Sequence, residues 1–577
     1  MTRGKRRYEI PRRRVTILLV GFLIFSLAIT YRVVSFQVVR SEELSEQAIA
    51  FRYREDAVPA RRGDILDNRG RPLATNVPAD RVSAILKEIE DPNRAATLLA
   101  PLIGRSAADI EAAITQPDKE FVVLQHKLSP EASQKVTDLN LKGIVLDPEP
   151  RRIYPMGDFA SQVLGFVNDD YVGSYGIEGY YDKVVGGTPG KLVGERDGLG
   201  NVIAIAKSSW EPPKDGADLE LTINSAAQRI VEQALDKAIR EQDASGGTAI
   251  VEDVKTGEII AMASRPSFDP NAFAKVDDIE RFNNPAVSLM YEPGSTFKTF
   301  TMALGLETGV VTPNTVHDGG AYKELADGKK VYNAQQVDFG PETMTEVLEH
   351  SSNLGAMYVA ELVGQDRFYQ GLKDFGIGKP TGVELAAEAG GILPIPGDAN
   401  WTLANFYTSA FGQGLAVTPI QLVNAEAAIA NGGKLMKAHI VKEIRDGQNV
   451  EKVSPEVIRQ VISPETARTL TDMLVQVMDT TYSKRFTVPG YKIAAKTGTA
   501  QIPSPDGGYE EDATIGSILG FGPAQDPRFA VLVKIDRPKK SEWGEESAGP
   551  AFAKIFQEML LLYGIPPTEP VDSPSNP

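Results

Sequence analysis

Cysteine is absent from all 577 residues, which excludes disulfides, thiolate nucleophiles and cysteine-ligated zinc or iron–sulfur centres. Histidine is scarce: His126, His317, His350 and His439 are the only copies, and none stands in a metal-binding spacing such as H-E-x-x-H. No metal and no cofactor is expected. Positive charge is in deficit, with 61 basic against 77 acidic side chains and a net charge of −16, so nucleic acid is not expected as a partner. A phosphate loop is missing too. Gly186-Gly187-Thr188-Pro189-Gly190-Lys191-Leu192 lacks the G-x-x-x-x-G-K spacing and the Ser or Thr after it, and reads as a turn. There is no repeat of solenoid period. Transfer or hydrolytic chemistry is left to hydroxyl, amine, carboxylate and amide groups.

What is present is the composition of a folded, multidomain protein, 42% hydrophobic and 24% charged. One long apolar run stands out. Val15–Tyr31 carries no charge, and apolar character resumes after Arg32 as far as Val39. At ~1.5 Å per residue such a helix crosses a bilayer core of about 30 Å, with Arg32 snorkelling to the interface. Before it lie Arg3, Lys5, Arg6, Arg7, Arg12, Arg13 and Arg14, and after it Glu42, Glu43 and Glu46. This asymmetry puts the N-terminus in the cytoplasm and the rest outside. The alternative is a signal peptide cleaved at Ala48-Ile49-Ala50. The run is too long for that, and the polar stretch Arg40–Gln47 separates it from the cleavage site.

Beyond the anchor, residues 40–215 are rich in turns and short strands: Asp64–Ala74 reads as strand, turn, strand, and Arg196–Asn201 as a further turn. Pro212-Pro213-Lys214-Asp215-Gly216 marks a boundary. From 216 to 564 strands and capped helices succeed one another. Gly247–Val254 and Glu258–Ala263 form a predicted hairpin around Lys255-Thr256-Gly257. Thr418-Pro419 and Ser463-Pro464 each open a helix. Tyr491–Thr499, Ile515–Gly522 and Phe529–Ile535 read as strands, and Pro550–Tyr563 as an amphipathic helix. Strands at both ends of a helical middle predict one α/β (α+β) domain whose sheet pairs the two ends. Residues 565–577, proline-rich and acidic, are expected to be a disordered tail.

Three short motifs fall in this domain. Ser295-Thr296-Phe297-Lys298 is the one S-x-x-K; on the helical run Thr296–Glu307 it brings a hydroxyl and an amine within reach of each other. A buried lysine beside another cation loses its proton readily and can serve as the base that a serine nucleophile needs. Ser351-Ser352-Asn353 interrupts the helical segment Thr343–Val363 and offers a hydroxyl and an amide. Lys496-Thr497-Gly498-Thr499 lies on a strand, where Lys496 and the threonines can bind a carboxylate and Gly498 allows a ligand backbone to come close. Taken singly, the first two have bland readings: a helix N-cap with a solvated lysine, and a polar helix kink. K-T-G also occurs twice, and Lys255-Thr256-Gly257 is best explained as turn chemistry.

In the order 295, 351, 496 the motifs resemble the three active-site motifs of serine penicillin-recognising enzymes. Flanking segments sharpen the likeness. Arg62–Gly70, Gly176-Ile177-Glu178-Gly179, Tyr291–Lys298 and Gly414–Gln421 resemble class B penicillin-binding proteins, the monofunctional peptidoglycan transpeptidases, and the division-septum type more than the elongation type. The resemblance implies a basic cytoplasmic tail (1–14), a transmembrane helix (15–39), an elongated β-rich pedestal of the dimerisation type (40–215) and a transpeptidase domain (216–564). That last domain would have a central antiparallel sheet flanked by helices, like the serine β-lactamases. Ser352 stands where many β-lactamases have Asp. No class A deacylation loop is recognisable, and the segment before 215 is too short for a glycosyltransferase.

By the same resemblance, Ser295 attacks the penultimate D-Ala carbonyl of a stem peptide, Lys298 is the base and Ser351 relays a proton to the leaving amine. Asn353 contacts the substrate backbone, Lys496, Thr497 and Thr499 hold the terminal carboxylate, and the N–H groups of Ser295 and Thr499 bind the oxyanion. Implied partners are D-Ala-D-Ala stem peptides, β-lactams, a membrane-embedded glycosyltransferase and divisome proteins. Two alternatives remain open: a carboxypeptidase or β-lactamase, in which water resolves the acyl-enzyme, and a non-catalytic penicillin-binding scaffold.

Overall fold

In the computed structural model, residues 12–44, 53–195, 209–325, 328, 330–399, 401–480, 486–504 and 507–570 are described. The turn at Arg196–Asn201, the Ala48-Ile49-Ala50 site, most of the basic tail and residues 571–577 lie outside them. The chain folds as two compact units, Met1–Ala60 with Thr188–Lys214, and Arg61–Gly187 with Asp215–Pro577.

The first unit contains the apolar helix, Arg12–Val34 continuing as a π-helical turn Ser35–Val39, with a mean hydropathy of 2.3 in its most apolar window. Its apolar side chains are exposed all round, and at 28 residues it is long enough to span a membrane. The unit also holds a three-stranded antiparallel sheet, with Gly190–Glu195 between Tyr53–Val58 and Ser209–Glu211.

The second unit is organised around a five-stranded antiparallel sheet. Its strands are β1 (Gly246–Asp253), β2 (Ile259–Arg265), β3 (Ala494–Pro503), β4 (Tyr509–Gly522) and β5 (Phe529–Asp536), in the order β2-β1-β5-β4-β3. The predicted pairing of chain ends is the β1–β5 ladder, which joins Gly246 to Asp536. Alternation along the strands serves two cores. Val251, Val531 and Val533 pack with Leu235, Phe552 and Phe556 of the helices Ser225–Gln242 and Gly549–Leu562. On the opposite face Ile250 and Leu532 join Phe297, Phe300, Met357, Leu422 and Leu470. The helices of that face start where their caps dictate: Thr418 and Gln421 form a capping box before Pro419–Ala430, and Ser463 caps Pro464–Asp479.

The second compact unit takes in residues 61–187 together with the later chain. Strand Asp218–Leu221 pairs in parallel with Ile65–Leu66 on one side and antiparallel with Val441–Asp446 on the other, so backbone hydrogen bonds tie residues 61–187 to the later chain. The same sheet continues through Pro72–Ile85 to Phe121–Leu128 and Ile144–Ile153. Three helices, Pro92–Ile103, Ala107–Ile114 and Pro130–Asp138, close a separate small core around Val82, Leu99, Ile110 and Leu124. Near the C-terminus the N–H groups of Thr568 and Glu569 donate to the Gly490 carbonyl.

Two of the quoted segments, 116 residues apart, meet in one buried ion network. Arg62 and Glu178, both with fully buried side chains, pair at 2.7 Å; Arg152 pairs with the other Glu178 oxygen at 2.7 Å, and Arg62 also reaches Asp182. Tyr154 donates to Glu178 Oε1 at 3.2 Å. Glu178→Ala leaves buried Arg152 without a carboxylate and Arg62 with Asp182 alone, and is expected to destabilise the unit by about 3–5 kcal/mol. The fall in the urea midpoint measures this; an unchanged midpoint refutes it.

Candidate active site

Ser295 does not begin an α-helix. It lies in a one-turn 3-10 helix, Gly294–Phe297, which runs into the α-helix Lys298–Glu307. In a 3-10 turn residues i and i+3 eclipse, and Lys298 Nζ donates to Ser295 Oγ at 3.0 Å. Gly294 makes the turn possible. Its φ is +58°, its N–H donates to the Gly412 carbonyl at 3.0 Å, and a Cβ there would stand 3.0 Å from the Thr499 carbonyl oxygen on β3. Glu292, just upstream, accepts from Gly414 N at 2.9 Å and from the Tyr509 hydroxyl at 3.0 Å, so it ties the nucleophile turn to a neighbouring loop and to the start of β4.

Lys298 is 1% exposed, whereas Ser295 is only half-buried and remains reachable. Burial, and then the charge of Lys496, push the Lys298 ammonium well below the ordinary lysine range; Glu342 opposes them. Ser351 bridges the helices Met344–Glu349 and Asn353–Val363 with φ +56°, a left-handed conformation costly for a serine. That conformation turns both its polar groups onto Lys298: the carbonyl accepts from Nζ, and the hydroxyl oxygen lies 3.2 Å from it. Ser352 is a structural cap, accepting from Gly355 N at 3.1 Å.

On β3 the strand alternation separates the K-T-G-T side chains. Lys496, 2% exposed, and Gly498 share the face turned to the 3-10 helix, and Thr497 and Thr499 share the other. Burial pushes Lys496 down to about 8, against the opposing charge of Glu545. Gly498 is packed closely by the chain itself. A Cβ there would meet Thr296 Cγ2 and Ser517 Oγ at 2.9 Å and the Pro293 carbonyl oxygen at 3.1 Å, so the glycine lets β3 close on the nucleophile turn. Thr499 Oγ1 accepts from Gly544 N at 3.1 Å.

Ser295, Lys298 and Ser351 are thus joined by hydrogen bonds, with Lys496 in electrostatic reach. Asn353 is held at the edge, its Nδ2 donating to the Tyr332 carbonyl at 2.9 Å. Lys255-Thr256-Gly257 is not part of this cluster. It caps the β1–β2 hairpin at the far edge of the sheet from β3, and Lys255 faces Asp526 at 3.6 Å. Among the described residues no group of three or more His, Asp or Glu could hold a metal ion.

Two residues escaped sequence reasoning. Buried Asn333 accepts from Asn353 N at 2.9 Å and Leu354 N at 3.2 Å, and donates to the carbonyls of Gly320 and Val337 at 3.1 Å, so one amide fastens the Ser351–Asn353 loop. Glu342, with a side chain 1% exposed, lies within electrostatic reach of Lys298. In sequence both read as loop or helix-start residues, and only tertiary packing brings them here.

Comparison with known proteins agrees with this geometry. Residues 247–557 match the penicillin binding protein transpeptidase domain, and residues 57–221 the penicillin-binding protein dimerisation domain. The chain is 35% identical to stage V sporulation protein D of Bacillus subtilis over 97% of its length and 87% of that protein's. It is 31% identical to the peptidoglycan D,D-transpeptidase FtsI of Escherichia coli, over 95% of its length and 92% of that protein's. Its fold is similar to a peptidoglycan synthetase of Bifidobacterium adolescentis, with a TM-score of 0.72 at 27% identity, covering 90% of this chain and 99% of that one. It is also similar to penicillin binding protein 3 of Mycobacterium tuberculosis complexed with aztreonam, with a TM-score of 0.68 at 27% identity, covering 89% and 99%. With both domains matched and a serine–lysine pair at the centre of the second, the chain belongs to the class B penicillin-binding proteins.

Proposed function

We propose that this protein is a membrane-anchored peptidoglycan D,D-transpeptidase, and a covalent target of β-lactams, working in septal cell-wall synthesis. The observation that carries the reading is the 3.0 Å contact between Ser295 Oγ and the buried Lys298 amine, with Ser351 against the same nitrogen. Neutral Lys298 takes the Ser295 proton as Oγ attacks the penultimate D-Ala carbonyl. The N–H groups of Ser295 and Thr499 receive the oxyanion. Ser351 passes the proton to the departing D-Ala amine, and an amine of a neighbouring stem then attacks the ester. Charged Lys496 holds the terminal carboxylate from its face of β3, with Thr497 and Thr499 set by the strand alternation on the other face, and Asn353 holds the peptide backbone. Labelling with a fluorescent penicillin, with mass spectrometry of the modified peptide, tests the nucleophile: an adduct anywhere but Ser295 refutes it. Supplying a D-Ala-D-Ala donor with and without an acceptor amine separates cross-linking from hydrolysis.

The two K-T-G copies are expected to behave differently. Lys496→Ala should slow acylation about ten- to a hundredfold, the loss of one charged hydrogen bond, whereas Lys255→Ala should leave labelling unchanged. The reverse result overturns the assignment.

The basic N-terminus supports a cytoplasmic orientation for the anchor in the cell membrane, with the catalytic domain outside. Residues 40–215 serve as a pedestal for a membrane-embedded glycosyltransferase and divisome proteins, a reading supported by the matched dimerisation domain. A Ser295→Ala protein should still co-purify with the polymerase and stimulate glycan synthesis, whereas substitutions at Arg62-Gly63-Asp64 should weaken that stimulation. Unchanged polymerisation in pedestal variants would leave the segment as a spacer.

A further inference from the structure

Asn333 is 2% exposed and uses both ends of its amide. Its Oδ1 accepts from Asn353 N at 2.9 Å and Leu354 N at 3.2 Å, the first two N–H groups of the helix Asn353–Val363, which have no partner within that helix. Ser352, just before the helix, caps Gly355 N alone. The helix start is thus completed by a side chain 20 residues upstream of Asn353. Nδ2 donates to the carbonyls of Gly320 and Val337 at 3.1 Å, which fixes the direction of the amide. The neighbouring residue adds a second tie. The Tyr332 carbonyl accepts from Asn353 Nδ2 at 2.9 Å, so Asn353 is held at its backbone by Asn333 and at its side chain by Tyr332. Backbone strain flanks this buckle on both sides: Gln335 and Gln336 have φ +55° and +57°, and Ser351 has φ +56°. Left-handed conformations of this kind persist only where the surroundings impose them. Ser351 carries the two oxygens turned on Lys298 Nζ, and it stands two residues before the backbone N–H that Asn333 holds.

We propose that Asn333 is a positioning residue for acylation: by capping the helix that follows Ser351, its amide fixes the Ser351 oxygens against Lys298 Nζ and Asn353 at the edge of the site. It acts through these two residues and not on the reacting atoms. The inference rests on the acyl-transfer reading of Ser295.

Two substitutions separate the ends of the amide. Asn333→Leu keeps the size of the side chain and removes every polar contact. Asn333→Asp keeps an oxygen for Asn353 N and Leu354 N, where negative charge at a helix start is favourable, and gives up the donors to Gly320 and Val337. Acylation by fluorescent penicillin is followed on the full chain over a range of concentrations, which resolves the first-order step from the noncovalent complex. In Asn333→Leu the first-order constant should fall about ten- to a hundredfold, the effect of two lost hydrogen bonds, while the dissociation constant of the complex stays within about threefold. Asn333→Asp should keep both constants within about threefold of the wild-type values. An Asn333→Leu protein that acylates at the wild-type rate, a loss confined to the noncovalent complex, or an Asp variant that falls as far as the Leu variant overturns the inference. If Asn333→Leu does not fold, Asn333→Ala takes its place, and failure of both to fold makes the residue structural and overturns the inference as well. Absence of a Ser295 adduct in the wild-type chain refutes instead the acyl-transfer reading beneath it.

Discussion

Ser295→Ala is expected to remove covalent penicillin labelling and cross-linking completely while the fold stays intact. The loss is total because no other hydroxyl occupies the attack position: Ser351 faces the same Lys298 nitrogen from another loop, with its geometry fixed by a positive φ. The structural cost is small. Ser295 is not a helix cap, since Pro293 holds that place without a side-chain bond, and the hydroxyl's contact is with Lys298 alone among the hydrogen bonds described. Removing it costs about 0.5–1.5 kcal/mol at most, and Lys298 keeps both Ser351 oxygens. Intact-mass spectrometry after incubation with penicillin reads the adduct, and thermal melting reads the fold. A penicillin adduct in the variant at the wild-type rate would remove Ser295 from the chemistry.

Much of this site is legible in the sequence. S-x-x-K is a local relationship, and whether the turn is α or 3-10 the two side chains meet. Helix starts at Thr418 and Ser463 were legible because a cap followed by proline states its own geometry. The hairpin around Lys255-Thr256-Gly257 could be placed because a turn separates two apolar runs, and that placement set the first K-T-G copy aside. Relationships fixed only by tertiary packing were not legible. Ser351 adopts φ +56° because the surrounding helices hold it there. Asn333 and Glu342 sit in polar stretches with nothing to distinguish them from surface residues. The packing of Thr296 and Pro293 against Gly498 is likewise a tertiary contact without a sequence signal. Strand Asp218–Leu221, just after the proline-rich break, binds Ile65–Leu66 and Val441–Asp446 in ladders that no local pattern announces.

Lys298 and Lys496 together predict the pH profile. Lys298 must be neutral to accept the Ser295 proton, so acylation rises with pH through its lowered ionisation, whose causes are burial and the Lys496 charge. Lys496 must be charged to hold the substrate carboxylate, so acylation falls again as pH passes about 8. The expected profile is a bell whose two limbs belong to two lysines, without a histidine. Lys298→Arg keeps the positive charge and abolishes the base, because a guanidinium does not deprotonate in this range; acylation should drop by about 10²–10⁴-fold at every pH. Lys496→Arg should weaken binding through its different shape, yet its alkaline limb should disappear for the same reason. The two variants therefore act on opposite sides of the bell. Rates of penicillin acylation from pH 5 to 10 decide the matter. A Lys298→Arg protein that acylates at the wild-type rate would require another base. An alkaline limb that persists near 8 in Lys496→Arg would mean that some group other than the strand lysine sets it.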